Sequence, residues 1–357
     1  MKLIKAKLRG TGPVIESNWF QLSTHLNQFQ FPSPQKGTAF LRALQALQPP
    51  FPCRQTDPFV ALPHYEKKEG YTRHIQAGKR TIALGVFTTT TETVTELGLL
   101  DNNLYETDRI EIGRRLDYSR WLNFVELSSS TRWQEIKAAI IELLRPMEQI
   151  DLKRYSEAIS FTSAIKTVDR IKDGLADKLL FHLRDLKIQQ SNDTLYEEVT
   201  RLIRRAEHFQ AARKLVFQRL PLFIYFNEQG DINHPLLTPA TPTGEDHLEL
   251  RHYIEQQAIK IGPIHSRRPP QTVLEKLKSG IQLSLLVSKE LQRTDPIFLF
   301  DAPDTNIHQD QHDQLRQLLT HTAKSKQCLY LCHEKRFFQQ QETGEDYSYE
   351  ELKRAGE

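Results

Sequence analysis

Two short, wholly apolar segments near the carboxyl end constrain the fold of this chain more than any other feature. Residues 296–300 and 328–332 have the pattern of strands buried on both faces of a parallel sheet. Residues 309–322 between them can form a helix, so the three segments predict a β-α-β unit. Ligands of such sheets bind beyond the carboxyl ends of the strands, where Asp301 and His333 fall. We therefore expect these two polar residues to share one crevice.

The amino-terminal part of the chain combines antiparallel structure with a strand-loop-helix unit. Alternating residues 2–8 predict an edge strand, and residues 71–75 and 80–87 predict a hairpin. Residues 26–31 also alternate, and residues 38–47 follow with helical spacing after a loop that contains prolines. An antiparallel subdomain is therefore expected beside the first strand-loop-helix unit.

The stretch at 151–220 is predicted to be helical because it contains few breakers. Apolar residues recur at intervals of three and four from Val168 to Leu186, and Thr194 with Glu197 forms a capping box that predicts a second helix. We predict an antiparallel hairpin with arms of about 30 Å. Either its helices belong to an all-α core, or it projects as an arm that presents basic residues to a polyanion, namely Arg201, Arg204, Arg205, Arg213 and Lys214.

Composition narrows the cellular setting. The chain has 357 residues, and its 48 Lys and Arg residues nearly balance its 45 Asp and Glu residues, so the net charge of +3 does not demand a nucleic-acid partner. Cys53, Cys328 and Cys332 are too few for a disulfide framework. Because no apolar run reaches about 18 residues and no signal peptide is evident, we expect a cytoplasmic protein with no membrane span.

A candidate phosphate site lies just upstream of the first apolar strand. Asp301 follows that strand, where a carboxylate commonly holds the hydrated Mg²⁺ ion. Residues 277–282, Leu-Lys-Ser-Gly-Ile-Gln, precede a predicted helix at 283–291. If Ser279 and Gly280 begin that helix, they offer a hydroxyl group, backbone N–H groups and a positive dipole end to a phosphate.

These segments resemble ABC-class ATPases of the SMC-like and OLD-type group. Residues 277–282 resemble the ABC signature, residues 298–301 a Walker B strand, and His333 the switch histidine. Residues 301–308, Asp-Ala-Pro-Asp-Thr-Asn-Ile-His, resemble the D-E-P-E-T-N-L-H segment of that group in order and spacing. Residues 220–226 resemble a segment that follows its helical insertion. The close resemblance covers about a sixth of the chain.

The resemblance implies an α/β fold with a P-loop NTPase-like, ABC-type sheet, an antiparallel β subdomain and an inserted helical hairpin. It divides the chain into an amino-terminal lobe at 1–150, the hairpin at 151–220 and a carboxy-terminal lobe at 221–357. Such proteins bind ATP and Mg²⁺ between two copies of the domain, which implies a homodimer or a complex with an effector or second subunit. Many relatives act in DNA maintenance or anti-phage defence, so DNA is a candidate partner.

The resemblance also assigns roles to individual residues. It assigns Lys36, Gly37 and Thr38 to phosphate binding, and it assigns Ser279, Gly280 and Gln282 to the phosphate at the partner's site. It assigns Thr38 and Asp301 to Mg²⁺. The residues that it assigns to catalysis are Asp301, Asp304 and His333.

Two departures from the family pattern bear on activity. Where a Walker A loop reads G-x-x-x-x-G-K-[ST], residues 31–38 read Phe-Pro-Ser-Pro-Gln-Lys-Gly-Thr, so two prolines remove backbone donors and the Gly-Lys pair is inverted. Ala302 stands where the glutamate that orients the attacking water belongs, although Asp304 lies nearby. Loss of such a group is expected to slow turnover by about 10²- to 10⁴-fold.

Three functional hypotheses follow. The first is a weak or inactive ATPase whose site serves as an ATP-dependent or vestigial assembly switch. The second is a scaffold that binds DNA or protein without enzymatic activity. The third is an active ATPase with a rearranged base such as Asp304.

Two zinc hypotheses are disfavoured. His308 and His312 are four residues apart on the helix predicted after Asp301, but no third ligand has a typical spacing. Cys328 and Cys332 lie on one face of a predicted buried strand, where cysteine behaves as a small apolar residue.

Overall fold

The structure is a computed structural model in which the described residues form a mixed α/β fold. These residues are 1–11, 14–49, 81–100, 105, 107–115, 119–124, 127–184, 193–231, 272–332, 337–338, 345–348 and 351–352. The chain forms two compact units. The first comprises Met1–Thr90, Asp108–Leu122 and Gln218–Glu357, and the second comprises Thr91–Thr107 and Asn123–Phe217.

The elements follow one another along the chain in a mixed order. The strands are β1 (Lys2–Thr11), β2 (Val14–Glu16), β3 (Phe20–Gln21), β4 (Leu26–Gln30), β5 (Thr81–Thr88), β6 (Arg109–Arg115), β7 (Arg120–Phe124), β8 (Phe223–Phe226), β9 (Ile297–Asp301), β10 (Gln327–Cys332) and β11 (Glu345–Ser348). The helices are α1 (Pro34–Gln45), α2 (Thr91–Gly98), α3 (Trp133–Leu144), α4 (Met147–Ile150), α5 (Leu152–Ser163), α6 (Asp173–Leu183), α7 (Asp193–Arg219), α8 (Val273–Glu290) and α9 (His312–Ala323).

The first unit contains a five-stranded parallel sheet in the order β11-β4-β10-β9-β8. The predicted β-α-β unit is confirmed as β9, α9 and β10, and every residue of both strands is buried. Leu331 pairs with Asp301, and Cys332 pairs with Gln30. The carboxyl ends of three neighbouring strands therefore lie at one edge of the sheet.

The two faces of this sheet carry different partners because alternate residues of a strand point to opposite sides. One face packs against α8 and α9 through a core that contains Leu26, Ile224, Phe226, Leu277, Ile281, Phe298, Phe300, Leu315, Leu319 and Tyr330. On the other face, Phe29 lies 4.9 Å from Phe40 of α1 between ring centroids. Phe223, on the same face, lies 6.2 Å from Phe87 of β5. Helix α1 and a second sheet therefore cover this face.

The second sheet has six strands in the order β2-β1-β5-β6-β7, with β3 also paired to β1. Its pairs β1–β2, β1–β3, β1–β5 and β5–β6 are antiparallel, as predicted for this subdomain. The prediction that residues 2–8 form an edge strand is wrong, because β5 pairs with one side of β1 while β2 and β3 pair with the other. The predicted hairpin partner at 71–75 lies outside the described residues.

Buried polar side chains tie this sheet to its neighbours. The Gln327 carboxamide in β10 accepts from Leu3 N at 2.9 Å and donates to Leu3 O at 2.6 Å, so it bonds to β1 as a strand would. Arg114 Nε donates to the Ala46 carbonyl at 2.7 Å, directly after α1. Carbonyls at a helix end lack partners within the helix, and a cation there also interacts favourably with the helix dipole.

The second unit is mainly helical. Helices α3, α5, α6 and α7 share one buried core, formed by Trp133, Ile136, Ile140, Leu143, Leu144, Met147, Ala158, Ile171, Leu179, Leu183, Val199 and Ile203. This packing matches the all-α alternative for the stretch at 151–220. No helix among the described residues combines the length and the apolar character that a membrane span requires.

The first arm of the predicted hairpin is shorter than predicted, since α6 carries Leu175, Leu179 and Leu183 of the apolar stripe but not Val168 or Ile171. Helix α5 ends at Ser163, α6 begins at Asp173, and Val168 is 77% exposed between them. Trp133 N donates to Asp169 O, and Ile171 N donates to Thr131 O, both at 2.8 Å. These bonds flank an isolated antiparallel bridge between Arg132 and Arg170, so pairing with a distant segment outweighs the apolar periodicity here. The second arm begins at Asp193, one residue before the predicted Thr194.

We expect Gly113→Ala to lower the free energy of unfolding by about 1–3 kcal/mol, because a buried clash must be relieved. An ideal Cβ at Gly113 would lie 2.2 Å from Trp121 Cε2, and the indole is held by a 2.9 Å hydrogen bond to Thr81 Oγ1. The matched control is Gly174→Ala in α6, where a Cβ has no neighbour within 4 Å. The free energy of unfolding of Gly174→Ala, measured by urea denaturation, should be about 0.5–1 kcal/mol higher than that of the wild type. Equal stability of the two variants would contradict the packing argument.

Candidate functional site

Three elements of the first unit bring four polar side chains together at the carboxyl edge of the parallel sheet. Thr38 and Arg42 lie one turn apart on α1, Tyr225 lies on β8, and Asp301 ends β9. Tyr225 pairs with Leu299, which is two residues before Asp301. Because residues two apart share a face, Tyr225 and Asp301 both point to the side that α1 covers.

Asp301 is the buried centre of this cluster. Asp301 is 2% exposed, and its Oδ2 accepts a hydrogen bond from Thr38 Oγ1 at 2.6 Å. The same oxygen accepts a short hydrogen bond from the Tyr225 hydroxyl. A buried carboxylate is costly unless donors compensate for its lost hydration, so these hydroxyls stabilise it where it lies.

Arg42 holds the tyrosine ring from the other side. Its guanidinium carbon lies 3.5 Å from the centroid of the Tyr225 ring, a cation–π contact. Arg42 Nη1 donates to Gln45 Oε1 at 3.0 Å, and Gln45 Nε2 donates to the Phe223 carbonyl at 3.3 Å. The ring is therefore fixed between α1 and its own strand.

The Tyr225 hydroxyl acts as a donor throughout the physiological pH range. Burial raises the pKa of this phenol well above its usual value, and the neighbouring Asp301 charge raises the pKa further. Both effects favour the neutral phenol over phenolate. The proton therefore stays on the tyrosine and points to the carboxylate.

The segment aligned with a phosphate loop is largely helical. Only Phe31, Pro32 and Ser33 connect β4 to α1, which begins at Pro34 rather than near Thr38 as predicted. Proline is favoured at the first helical position because its fixed φ suits the helix and its missing N–H is not needed there.

Four backbone positions of this segment offer no donor to an anion. Pro32 and Pro34 have no N–H group. Phe31 N donates to the Cys332 carbonyl and Gly37 N donates to the Ser33 carbonyl, each at 3.1 Å.

Gly37 has a packing role. An ideal Cβ at this position would lie 2.5 Å from Leu331 Cδ2, so the glycine lets α1 approach β10 closely. Lys36 precedes it on the first turn of the helix and is half-buried.

The signature-like residues lie in the middle of a helix. Helix α8 begins at Val273 and is capped by Thr272, so the prediction that Ser279 and Gly280 begin a helix is wrong. The capping box formed by Thr272 and Glu275 sets the start of the helix earlier. The residues of this segment are Ser279, which is half-buried, Gly280, which is buried, and Gln282, which is exposed. Helix α8 covers the sheet face opposite to α1.

The carboxylate proposed as a substitute base also belongs to the opposite face. Asp304 accepts a short hydrogen bond from the hydroxyl of Tyr330, and burial raises the pKa of that phenol. Ala302 is fully buried and has φ 43° and ψ 51°, a left-handed conformation that is unusual for alanine. Its N–H donates to the Leu331 carbonyl at 3.1 Å, which anchors this turn.

Of the residues named from the sequence, the structure brings Thr38 and Asp301 together. His333 lies outside the described residues, so its position relative to Asp301 remains a prediction. Sequence reasoning missed Tyr225 and Arg42. The available signal was a phenol within the apolar run that became β8, since a buried hydroxyl needs a hydrogen-bond partner.

The alternative metal ligands are dispersed. His308 precedes a 3₁₀ turn, whereas His312 begins α9, so the two histidines are not on one helix as predicted. Cys328 and Cys332 are buried free thiols, and burial raises the pKa of Cys328 to about 12. Within the described parts of the chain, no three side chains of His, Cys, Asp or Glu form a metal-binding group.

The basic residues proposed for polyanion contact are unevenly exposed along α7. Arg204 and Lys214 are exposed, whereas Arg201, Arg205 and Arg213 are half-buried. Glu207, one helical turn after Arg204, is also exposed. This surface of the helix therefore carries both signs of charge.

Comparison with known proteins gives structural neighbours at low similarity. No family model matches the chain, and no curated protein matches it. One neighbour is the Smc head domain with an extended coiled coil bound to the C-terminal domain of ScpA, derived from Pyrococcus furiosus. It aligns with a TM-score of 0.37 and 10% identity, over 97% of this chain and 93% of that chain. The SMC head domain from Thermotoga maritima aligns with a TM-score of 0.35 and 10% identity over 98% and 94%.

The recombination mediator protein RecF-ATPrS of the RecFOR pathway aligns with a TM-score of 0.34 and 10% identity, over 98% of this chain and 96% of that chain. No family assignment follows from alignments at these values.

We expect Thr38→Val to lower the free energy of unfolding by about 1–3 kcal/mol, because it removes a hydroxyl donor from a buried carboxylate without changing the side-chain shape greatly. Thr38→Ser keeps the donor and is the matched control. Urea denaturation of both variants measures the difference. If Thr38→Ser were as destabilised as Thr38→Val, the hydrogen bond to Asp301 would not be the cause.

The stability of the protein should also depend on Tyr225 at alkaline pH. Because the folded-state pKa of this phenol is raised, its contribution is fully present below the unfolded-state pKa of about 10 and is lost as the pH rises above that value. Urea denaturation from about pH 9 to 11 should show a steeper loss for the wild type than for Tyr225→Phe. Equal slopes would show that Tyr225 does not cause the loss.

Proposed function

We propose that this chain is an ABC/SMC-like protein with a P-loop NTPase-type core whose nucleotide site has become structural, so that it does not turn over ATP. The observation that carries the proposal is the 2.6 Å hydrogen bond between Thr38 and Asp301, residues 263 positions apart. The family resemblance assigns these two residues to one metal site. Their meeting at the carboxyl edge of a parallel sheet supports the kinship.

The same geometry opposes a working metal site. A threonine hydroxyl and an aspartate carboxylate are oxygen ligands that suit Mg²⁺ by chemistry, and a bound Mg²⁺ would supply charge stabilisation to a phosphoryl group. Asp301 Oδ2, however, already accepts from Thr38 and Tyr225, in a residue that is 2% exposed. As arranged, a metal ion could contact Oδ2 only by displacing one of these hydroxyl groups.

The backbone around residues 31–38 does not fit a triphosphate either. A phosphate loop wraps its ligand with consecutive N–H groups, and Pro32 and Pro34 interrupt that series. The N–H groups of Phe31 and Gly37 are used within the fold. The carboxylate Asp301 therefore lies beside a segment in which the N–H groups of Phe31 and Gly37 stabilise the fold.

Neither the position of the family's catalytic glutamate, Ala302, nor the nearby Asp304 supports hydrolysis. Ala302 has no carboxylate and is fully buried, and Asp304 is bonded to Tyr330 on the opposite face of the sheet from Asp301. A water held near Thr38 and Asp301 would thus have no base from Ala302 or Asp304, and the loss of such a group costs about 10²- to 10⁴-fold in rate.

The proposed biological role is an assembly element. We place the chain as a homodimer, or beside an effector or second subunit, in DNA maintenance or anti-phage defence within the cytoplasm. This placement comes from the resemblance of residues 301–308 and 277–282. A vestigial nucleotide site is compatible with the role of an assembly element, because the buried cluster around Asp301 stabilises the domain without nucleotide.

We expect purified wild-type protein to release phosphate from ATP no faster than Asp301→Ala, measured at high protein concentration. Binding of a fluorescent ATP analogue, measured alongside, should show no saturable component that depends on Asp301. Asp310→Ala is the matched control, since Asp310 is exposed and outside the cluster. The proposal would be refuted if the wild type turned over ATP and this activity were abolished by Asp301→Ala but retained by Asp310→Ala. If Asp304→Asn also abolished the activity, Asp304 would be established as the rearranged base.

A further inference from the structure

We infer that the Tyr225 hydroxyl takes the place of a divalent cation at Asp301 and closes a latent metal site, with Arg42 holding the ring in position. This inference rests on the proposed function, since it treats the Thr38–Asp301 pair as a former metal site. It adds the residue that keeps the site closed and predicts that one substitution opens it.

The first step is the use of one carboxylate oxygen by two hydroxyl groups. Asp301 Oδ2 accepts from Thr38 Oγ1 at 2.6 Å and from the Tyr225 hydroxyl. A carboxylate oxygen offers about two lone-pair directions, so both are used by these donors. A cation that bound Oδ2 would have to displace one of the hydroxyl groups.

The second step is that Thr38 and Tyr225 differ in what they could offer a metal. The Thr38 hydroxyl can turn its lone pairs towards a cation while it stays beside Asp301, as a metal ligand would. The Tyr225 phenol is neutral and directs its proton to Oδ2. It therefore supplies the positive end of an O–H dipole at the place where a cation would supply charge.

The third step is the restraint on the ring. Arg42 lies 3.5 Å from the ring centroid, and its contact with Gln45 continues to the Phe223 carbonyl. Phe223 is two residues before Tyr225 on β8, so the support returns to the strand that carries the ring. Rotation of the phenol away from Asp301 would break the cation–π contact.

The fourth step is charge. The guanidinium of Arg42 is permanently positive and lies against the ring that contacts Asp301. A divalent cation at Asp301 would be repelled by this charge in a site where burial reduces screening by solvent. Arg42 thus both positions the phenol and opposes a metal ion.

The test is binding of Mn²⁺ alone, followed by the electron paramagnetic resonance signal of the free ion, with no nucleotide present. The variant Tyr225→Phe keeps the ring for Arg42 and removes only the hydroxyl. We expect it to bind a single Mn²⁺ per chain with a dissociation constant at least about tenfold below that of the wild type. The double variant with Asp301→Asn should lose this binding.

Tyr330→Phe is the matched control. It removes a buried phenol that also donates to an aspartate, but that aspartate is Asp304 on the opposite face. It should show no Mn²⁺ binding that depends on Asp301. Circular dichroism confirms that each variant is folded.

Two results would overturn the inference. One is a wild type that binds Mn²⁺ through Asp301 as tightly as Tyr225→Phe does. The other is a folded Tyr225→Phe variant with no gain in binding.

If Tyr225→Phe does not fold, Arg42→Gln replaces it, because it releases the ring and removes the opposing charge. It should also gain Mn²⁺ binding, and no gain would overturn the inference in the same way. Neither outcome depends on ATP turnover. A folded variant with no gain in Mn²⁺ binding overturns this inference and leaves the proposed function standing, whereas turnover by the wild type would refute that function separately.

Discussion

The buried carboxylate of Asp301 is the constraint on which the described architecture of the first unit depends. A charge in a residue that is 2% exposed must find donors within the protein, and here they come from α1 and β8. Satisfying Asp301 therefore sets the position of α1 against the sheet edge and the direction of the Tyr225 ring. A local requirement of one side chain thus links three elements that are far apart in sequence.

Close packing reinforces the same arrangement. Gly37 lets α1 lie against Leu331, and Gln327 joins the parallel sheet to β1 through bonds to the backbone of Leu3. Arg114 donates to the Ala46 carbonyl just after α1. These contacts hold the helix between two sheets whether or not a ligand is present. Gly37, which the resemblance assigns to phosphate, is thus engaged in a packing contact.

Several predictions from the sequence succeeded because local pattern and tertiary environment agree. The runs that became β9 and β10 are apolar throughout, which is required of central parallel strands. The start of α6 at Asp173 could not be foreseen, because backbone bonds from Trp133 to Asp169 and from Ile171 to Thr131 keep the first two residues of the apolar stripe out of the helix. The start of α8 was misplaced because the Thr272 capping box was overlooked, although that signal was present in the sequence.

The amino-acid sequence by itself determined the parallel β-α-β core and the position of Asp301 at its carboxyl edge. These features follow from residue type and spacing, which act over short distances along the chain. Only the tertiary structure decided that Thr38 and Tyr225 share one oxygen of Asp301 and that Arg42 stacks on the phenol. Such contacts join residues separated by up to 263 positions, and sequence spacing carries no information about distances of that kind.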